Sequence, residues 1–235
     1  LRTARPPGLG LAECPTDAPF EFRFVDLSTH HLAPPDTIDN SPATTYSSPM
    51  SSRPVAVIAD ARFYVGPELC RHLAARGFDM VVGDPTDALV EEIRSHGVQI
   101  VPVPGGSSLD ETACSHLVSV AIEHFGRIDS AVMFSGDIVT GPFVHSTIDH
   151  LRRVVSGCLE APYHFLRALT PLMADQGSGQ VLVITSAAGA RPTPDAPLYS
   201  AVRAGATMLV KNVAAEVASH GVQVNAVGTN FMDFP

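Results

Sequence analysis

Residues 54–83 read PVAVIADARFYVGPELCRHLAARGFDMVVG, with two short apolar runs on either side of an amphipathic segment. The runs 54–59 and 78–83 predict buried strands, and 67–76 predicts a helix with Pro67 at its first position. A strand, a helix and a second strand in this order form a βαβ unit. The stretch therefore predicts an α/β fold with a parallel sheet.

The same alternation continues along the rest of the chain. Further strands are predicted at 98–103, 128–134, 180–185 and 222–227, and further helices at about 86–96, 109–125, 146–174 and 197–220. Right-handed crossovers turn these elements into a Rossmann-like doubly wound parallel sheet, with its binding crevice at the carboxyl ends of the strands. The sequence stops at Pro235, so we expect a C-terminally incomplete domain over 54–235 whose sixth strand is an open edge.

Residues 1–53 have a different composition from the rest of the chain. They hold eight of the 20 prolines and show no sustained helical or strand period. Such a composition predicts a proline-rich, disordered extension. Residues 20–25 alternate like a short strand and could pair with a sheet edge.

Composition limits the classes of function that this chain can have. Its 235 residues are 45% hydrophobic and 17% charged, which suits one catalytic-size domain. The formal net charge of -9 argues against nucleic-acid binding. The sequence has no apolar run of membrane-spanning length and no signal peptide, so we expect a cytoplasmic protein without membrane contact. No C-x-x-C pair occurs, which predicts neither a zinc site nor a disulfide framework, among Cys14, Cys70, Cys114 and Cys158.

The first strand-to-helix turn, 59–66, is the place where a dinucleotide fold needs glycines. Of a G-x-x-x-G-x-G pattern only Gly66 remains. Asp60 would set a carboxylate beside phosphates, and Tyr64 would fill the space that a nucleotide needs. The turn therefore predicts that no nucleotide cofactor binds, and a loop without any ligand is the alternative. Asp84 has the position that holds a ribose hydroxyl in such folds, but beside Pro85 it is predicted to be a helix-start or turn residue.

A second group of polar residues follows the predicted strand at 180–185. Ser186 comes directly after it, and Tyr199 and Arg203 lie four residues apart on one helical face. A guanidinium near the phenol favours the phenolate, so Tyr199 is a candidate general base and Ser186 a candidate hydrogen-bond partner of the substrate oxygen. Taken singly, a surface Tyr/Arg contact and a turn serine are the alternatives.

With these motifs, residues 54–235 resemble the short-chain dehydrogenase/reductase superfamily. The matching segments, in the order of that family, are Phe125-Gly126-Arg127-Ile128-Asp129, Ser186, the Tyr199/Arg203 helix and Val224-Asn225-Ala226-Val227. Oxidoreductases of the superfamily carry a lysine where Arg203 stands. They also have Asn-Asn-Ala-Gly after the fourth strand, where this chain has Met133-Phe134-Ser135-Gly136.

Within the superfamily, the chain is most similar in its motifs to the halohydrin dehalogenases. The spacing of Ser186, Tyr199 and Arg203 matches the triad of that family, and Tyr64-x-Gly66 matches its turn. The chain departs from that family at Ala59, usually threonine, and at Thr229, often proline. The resemblance implies a lyase without a nucleotide cofactor that converts vicinal haloalcohols to epoxides and halide.

The resemblance also implies roles for particular residues. Ser186, Tyr199 and Arg203 would be catalytic. A halide and substrate pocket would be lined by Phe63, Tyr64, Thr229, Asn230, Phe231 and Met232. Small anions would open epoxides in the reverse direction. The family pairs its long helices across a two-fold axis, which implies a homodimer or homotetramer through the stripe Leu151, Val154, Val155, Cys158 and Leu159.

Two other functions remain open on the sequence alone. The main alternative is an NAD- or NADP-dependent oxidoreductase whose turn at 59–66 is atypical. In that case Arg203 would replace the usual lysine because lysine is rare throughout this chain. Lys211, in the same predicted helix, shows that lysine does occur there. A non-catalytic scaffold of the same fold is the second alternative.

Overall fold

The computed structural model describes residues 52–134 and 136–230. Its strands are β1 Val55–Ile58, β2 Asp79–Gly83, β3 Ile100–Val103, β4 Ser130–Phe134, β5 Gly179–Ser186 and β6 Val222–Thr229. Its helices are α1 Gly66–Ala75, α2 Asp87–Ser95, α3 Glu111–Phe125, α4 Ile148–Val155, α5 Ala161–Gln176 and α6 Pro197–Val217. Residues 20–25, Phe231 and Met232 lie outside the described residues.

The six strands form one parallel sheet in the order β3-β2-β1-β4-β5-β6. The strand order reverses between β1 and β4, which is the switch point where a crevice opens at the carboxyl edge of such a sheet. This topology confirms the predicted Rossmann-like doubly wound fold.

Alternate residues of each strand fill two separate cores. In β1, Val55 and Val57 face the layer of α3, α5 and α6, while Ala56 and Ile58 face α1 and α2. All four side chains are buried, because helices cover both faces of the inner strands. The two layers hold the carboxyl ends of β1, β4 and β5 in fixed positions beside one another.

The single helix predicted at 146–174 is wrong in detail. Thr147 caps α4, five residues from Ser156 to Glu160 form a wider turn, and α5 then continues to Gln176. Pro162, in the first turn of α5, has no backbone N–H to donate to the preceding turn, which accounts for the interruption. Asp110 caps α3 by accepting the N–H of Ala113 at 2.9 Å.

The apolar stripe expected to join subunits packs inside the chain. Val154 and Cys158 are fully buried in a cluster with Tyr199 and Val202 of α6. Leu151, Val155 and Leu159 pack against this cluster but are only partly buried, and the homo-oligomer stays a prediction.

Strand β6 lies at one end of the sheet and, among the described residues, pairs only with β5. It is two residues longer than predicted, and Thr229 pairs in register with Ser186. No helix of the described part of the chain is long and apolar enough to cross a membrane.

Candidate active site

A crevice of about 1190 Å³ opens along the carboxyl edge of the sheet. Most of the residues singled out in the sequence line it, namely Phe63, Tyr64, Ser186, Tyr199, Arg203, Thr229 and Asn230. The fold therefore brings the expected triad and the expected pocket residues to one place.

Ser186 is the last residue of β5, and its Oγ accepts the N–H of Ala188 at 3.2 Å. The turn that follows packs directly on α6, because a Cβ at Gly189 would come within 2.8 Å of the backbone of Arg203. Tyr199 lies near the start of α6 and is buried. The close packing of turn against helix sets the serine and the tyrosine on the same wall of the crevice.

Arg203 is a buried cation, with only 4% of its surface exposed. Its guanidinium carbon lies 5.1 Å from the centre of the Tyr199 ring. A Cβ at Gly136 would come within 2.5 Å of the Arg203 Nη2 atom, so the guanidinium occupies a narrow slot beside β4. The Tyr199/Arg203 pair is therefore part of the crevice wall, and the alternative of a surface contact is wrong.

Cys158 closes the same slot from the turn between α4 and α5. A Cβ at Gly136 would lie 3.5 Å from its Sγ atom. Burial raises the pKa of the Cys158 thiol, although the charge of Arg203 acts in the opposite direction. The neutral thiol thus supplies an apolar neighbour to the guanidinium.

In the turn between β1 and α1, an internal carboxylate stands where a diphosphate would bind. Asp60 is 4% exposed. Its carboxylate accepts two hydrogen bonds from Arg62, one from the backbone N–H at 2.9 Å and one from Nη2 of the guanidinium at 2.8 Å. The N–H groups of Ala61 and Gly66 donate to backbone carbonyls at 2.9 and 3.2 Å. These three N–H groups are already used within the chain, and the Asp60 carboxylate is paired with the Arg62 guanidinium.

Tyr64 lies across the carboxyl edge of the sheet. Its backbone is left-handed, with φ at 58°, a conformation that glycine adopts most readily. Its ring packs on Phe134 at the end of β4 with centroids 5.3 Å apart, and its hydroxyl lies 3.0 Å from Oγ1 of Thr229 at the end of β6. Tyr64 therefore spans from β4 to β6, past the end of β5.

Asp84 is held by the loop after β3. Its carboxylate accepts the N–H groups of Gly105 and Ser107 at 2.7 and 3.0 Å, together with the Ser107 hydroxyl. Burial acts to raise the pKa of Asp84, but these hydrogen bonds outweigh it and the pKa lies below its usual range. Asp84 is a turn residue with φ at 45°, and Thr86 caps α2, so the helix-start interpretation is wrong.

In the turn and at the end of β2, groups that hold a dinucleotide in such folds are engaged in contacts within the chain. The Asp60 carboxylate lies in the first strand-to-helix turn and is paired with Arg62, and the Tyr64 side chain reaches Thr229 past the end of β5. The Asp84 carboxylate, which would hold a ribose hydroxyl, already binds the loop after β3.

Two threonines behind the triad were not found from the sequence. Thr185 is 4% exposed, and its Oγ1 lies 3.3 Å from that of Thr207, which donates to the carbonyl of Arg203 at 2.9 Å. This pair ties the end of β5 to α6. A polar residue in an otherwise apolar strand was the only signal in the sequence.

Comparison with known proteins identifies the family. The model of the short chain dehydrogenase family matches residues 54–234. A 3-oxoacyl-(acyl-carrier-protein) reductase of Synechocystis sp. is 32% identical over 184 residues, which cover 76% of this chain and 74% of that protein. The chain belongs to the short-chain dehydrogenase family. The resemblance at superfamily level is thereby confirmed.

Other members of the short-chain dehydrogenase family give the same result. A 3-oxoacyl-(acyl-carrier-protein) reductase of Staphylococcus epidermidis is 27% identical, covering 75% of this chain and 74% of that one. A 7 alpha-hydroxysteroid dehydrogenase solved with NADH and 7-oxo glycochenodeoxycholic acid is 26% identical, with a TM-score of 0.68, covering 74% of this chain and 69% of that one. These names support the oxidoreductase alternative and lend no support to the dehalogenase.

Proposed function

We propose that this short-chain dehydrogenase family member is a lyase of the halohydrin dehalogenase type that works without a nucleotide. Tyr199 would take the proton from the hydroxyl of a vicinal haloalcohol. The alkoxide oxygen would then form a bond to the neighbouring carbon, and the carbon–halogen bond would break with its electron pair leaving on the halide. The products are an epoxide, a halide ion and the proton held by Tyr199.

One observation carries this proposal. Tyr64 crosses the carboxyl edge of the sheet and hydrogen-bonds Thr229, on the side of the crevice from which we expect a dinucleotide to approach the triad. Asp60 adds a buried carboxylate to the same turn. An elimination within one substrate needs a base and a place for the leaving halide, and it needs no hydride carrier.

The triad geometry suits proton removal from a hydroxyl. The Arg203 guanidinium lies over the Tyr199 ring in a buried slot, which places a positive charge beside the proposed base. Ser186, paired in register with Thr229, faces the same crevice and can hold the substrate oxygen. Ser186 ends β5 and Tyr199 lies on α6, and the close packing of the turn after β5 on α6 sets their relative position.

The halide would leave toward the aromatic side of the crevice. Phe63 and Phe134 meet edge to face with centroids 5.6 Å apart, and Tyr64 packs on the same ring. Ring edges carry positive partial charge, so they suit a large, weakly hydrated anion. Thr229 and Asn230 border this side, while Phe231 and Met232 stay predictions.

The test is halide release from a short vicinal bromoalcohol by the nucleotide-free protein. We expect bromide and epoxide in equal amounts, and we expect Tyr199→Phe to reduce the rate to background because the base is lost. Absence of bromide above the Tyr199→Phe background would refute the proposal.

A second candidate is an NAD- or NADP-dependent reductase of 3-oxoacyl groups, favoured by the names of the relatives at 32% and 27% identity. In that case the protein would consume NADH or NADPH in the presence of a 3-oxoacyl substrate. Two features argue against this reductase: the Asp60 carboxylate in the first turn, and the Tyr64 side chain that extends to Thr229 across the carboxyl edge of the sheet.

A further inference from the structure

Arg191 adds a positive charge to the crevice. It lines the crevice and is exposed, and among the residues that the structure describes its side chain makes no ion pair and no hydrogen bond. The other two arginines that line the crevice are engaged, since Arg62 pairs with Asp60 and Arg203 is buried beside the Tyr199 ring. Arg191 is therefore the arginine of the crevice that can meet a ligand without breaking an ion pair seen in the described part of the chain.

The carboxylates that line the crevice leave this charge without a counter-ion. Asp137 pairs with Arg153 at 2.8 Å, and Asp110 caps α3. Glu160, on the wider turn before α5, also lines the crevice but forms no ion pair with Arg191. A ligand with an anionic group would therefore supply the missing negative charge.

The loop that carries Arg191, residues 190–196, connects the turn after Ser186 to the start of α6. Two prolines in this loop restrict its backbone, and the N–H of Gly141 donates to the carbonyl of Asp195 at 2.6 Å. The loop thus lies between the serine and the tyrosine of the triad in sequence and is tied to the segment after β4. One molecule in the crevice can meet both the triad and Arg191.

We infer that Arg191 is a specificity-determining residue, and that the substrate is a haloalcohol that carries a carboxylate away from its reacting carbons. The inference rests on the proposed function, which supplies the haloalcohol part of the substrate. A guanidinium offers two parallel N–H donors that match the two oxygens of a carboxylate. A crevice of about 1190 Å³ reaches the size of sites for drug-sized ligands, so it has room for more than a short haloalcohol.

The test compares two ligands that hold no halogen, 3-hydroxybutanoate and the neutral 3-hydroxybutanamide, in NMR titrations of the nucleotide-free protein. Both carry a hydroxyl for the triad, and only the first carries an anionic group. We expect the wild type to bind the carboxylate about tenfold more tightly than the amide, and Arg191→Gln to bind the two equally. Arg167→Gln is the matched control, because it removes the same charge from an exposed site on α5 outside the crevice lining, and it should keep the tenfold preference.

A conservative variant separates the charge of Arg191 from any effect on folding. Arg191→Lys retains the positive charge, so it should retain a preference for the carboxylate. Equal affinity for the two ligands in the wild type, or a tenfold preference that survives in Arg191→Gln, would overturn the inference. Loss of the preference in Arg167→Gln or in Arg191→Lys would overturn it as well.

Bromide release distinguishes failure of this inference from failure of the proposed function. The substrates are the matching haloalcohols, 4-bromo-3-hydroxybutanoate and 4-bromo-3-hydroxybutanamide. A protein that prefers the carboxylate in the titrations but releases no bromide from either compound would refute the proposed function and leave the role of Arg191 standing. Bromide from both compounds without a preference for the carboxylate in the titrations would refute the inference alone.

Discussion

Gly136→Ala tests whether the position of the Arg203 guanidinium controls turnover. A Cβ at this position would come within 2.5 Å of Arg203 Nη2, whereas ordinary contacts begin at 3.4 Å. The guanidinium therefore has to move by about 1 Å, and misplacement on this scale can lower a rate about a hundredfold. The atom that moves is the end of a long side chain, so the free energy of unfolding should fall by less than about 1 kcal/mol.

The assay compares kcat for halide release with the midpoint of urea unfolding. Gly205→Ala is the matched control, because it lies on α6 and its Cβ would meet only Leu159 Cδ1 at 4.0 Å. It should raise the free energy of unfolding by about 0.5–1 kcal/mol and leave kcat unchanged. A Gly136→Ala protein with wild-type kcat would show that the guanidinium position does not matter to the reaction.

Three other substitutions test the turn, the loop after β3 and the triad. Gly66→Ala should lower the free energy of unfolding by about 3 kcal/mol, measured in urea, because its Cβ would lie 2.2 Å from the Asp60 carbonyl oxygen; wild-type stability would contradict this packing. Asp84→Asn should lose stability at neutral pH. The folded pKa of Asp84 is depressed, so its contribution is present above about pH 4 and disappears as the pH falls through the folded pKa. Urea midpoints of the two proteins should converge on acidification, and a constant difference would contradict the prediction. Arg203→Lys should lower kcat about tenfold, because an ammonium cannot stack on the Tyr199 ring as a planar guanidinium does, and an unchanged kcat would contradict that role.

The fold was predictable because its signals are local. The apolar runs of β1 and β2 and the amphipathic helix between them are visible within thirty residues of sequence. That Ser186, Tyr199 and Arg203 line one crevice was predictable for the same reason, since they lie at the end of one strand and on the next helix.

Contacts between distant parts of the chain were not predictable. Tyr64 and Thr229 are 165 residues apart, and only the sheet order shows that they meet. The partners of Asp84 lie 21 and 23 residues further on, in a loop whose path depends on β3. The wider turn before α5 had a local signal in Pro162, but the apolar period of 146–174 hid it.

The claim that Asp60 and Tyr64 keep a dinucleotide out of the crevice is tested most directly by calorimetric titration with NADH and NADPH. We expect wild-type protein to show no binding below about 1 mM, and a variant that combines Asp60→Gly with Tyr64→Gly to gain measurable affinity. Micromolar affinity in the wild type would contradict the account and establish the oxidoreductase in its place.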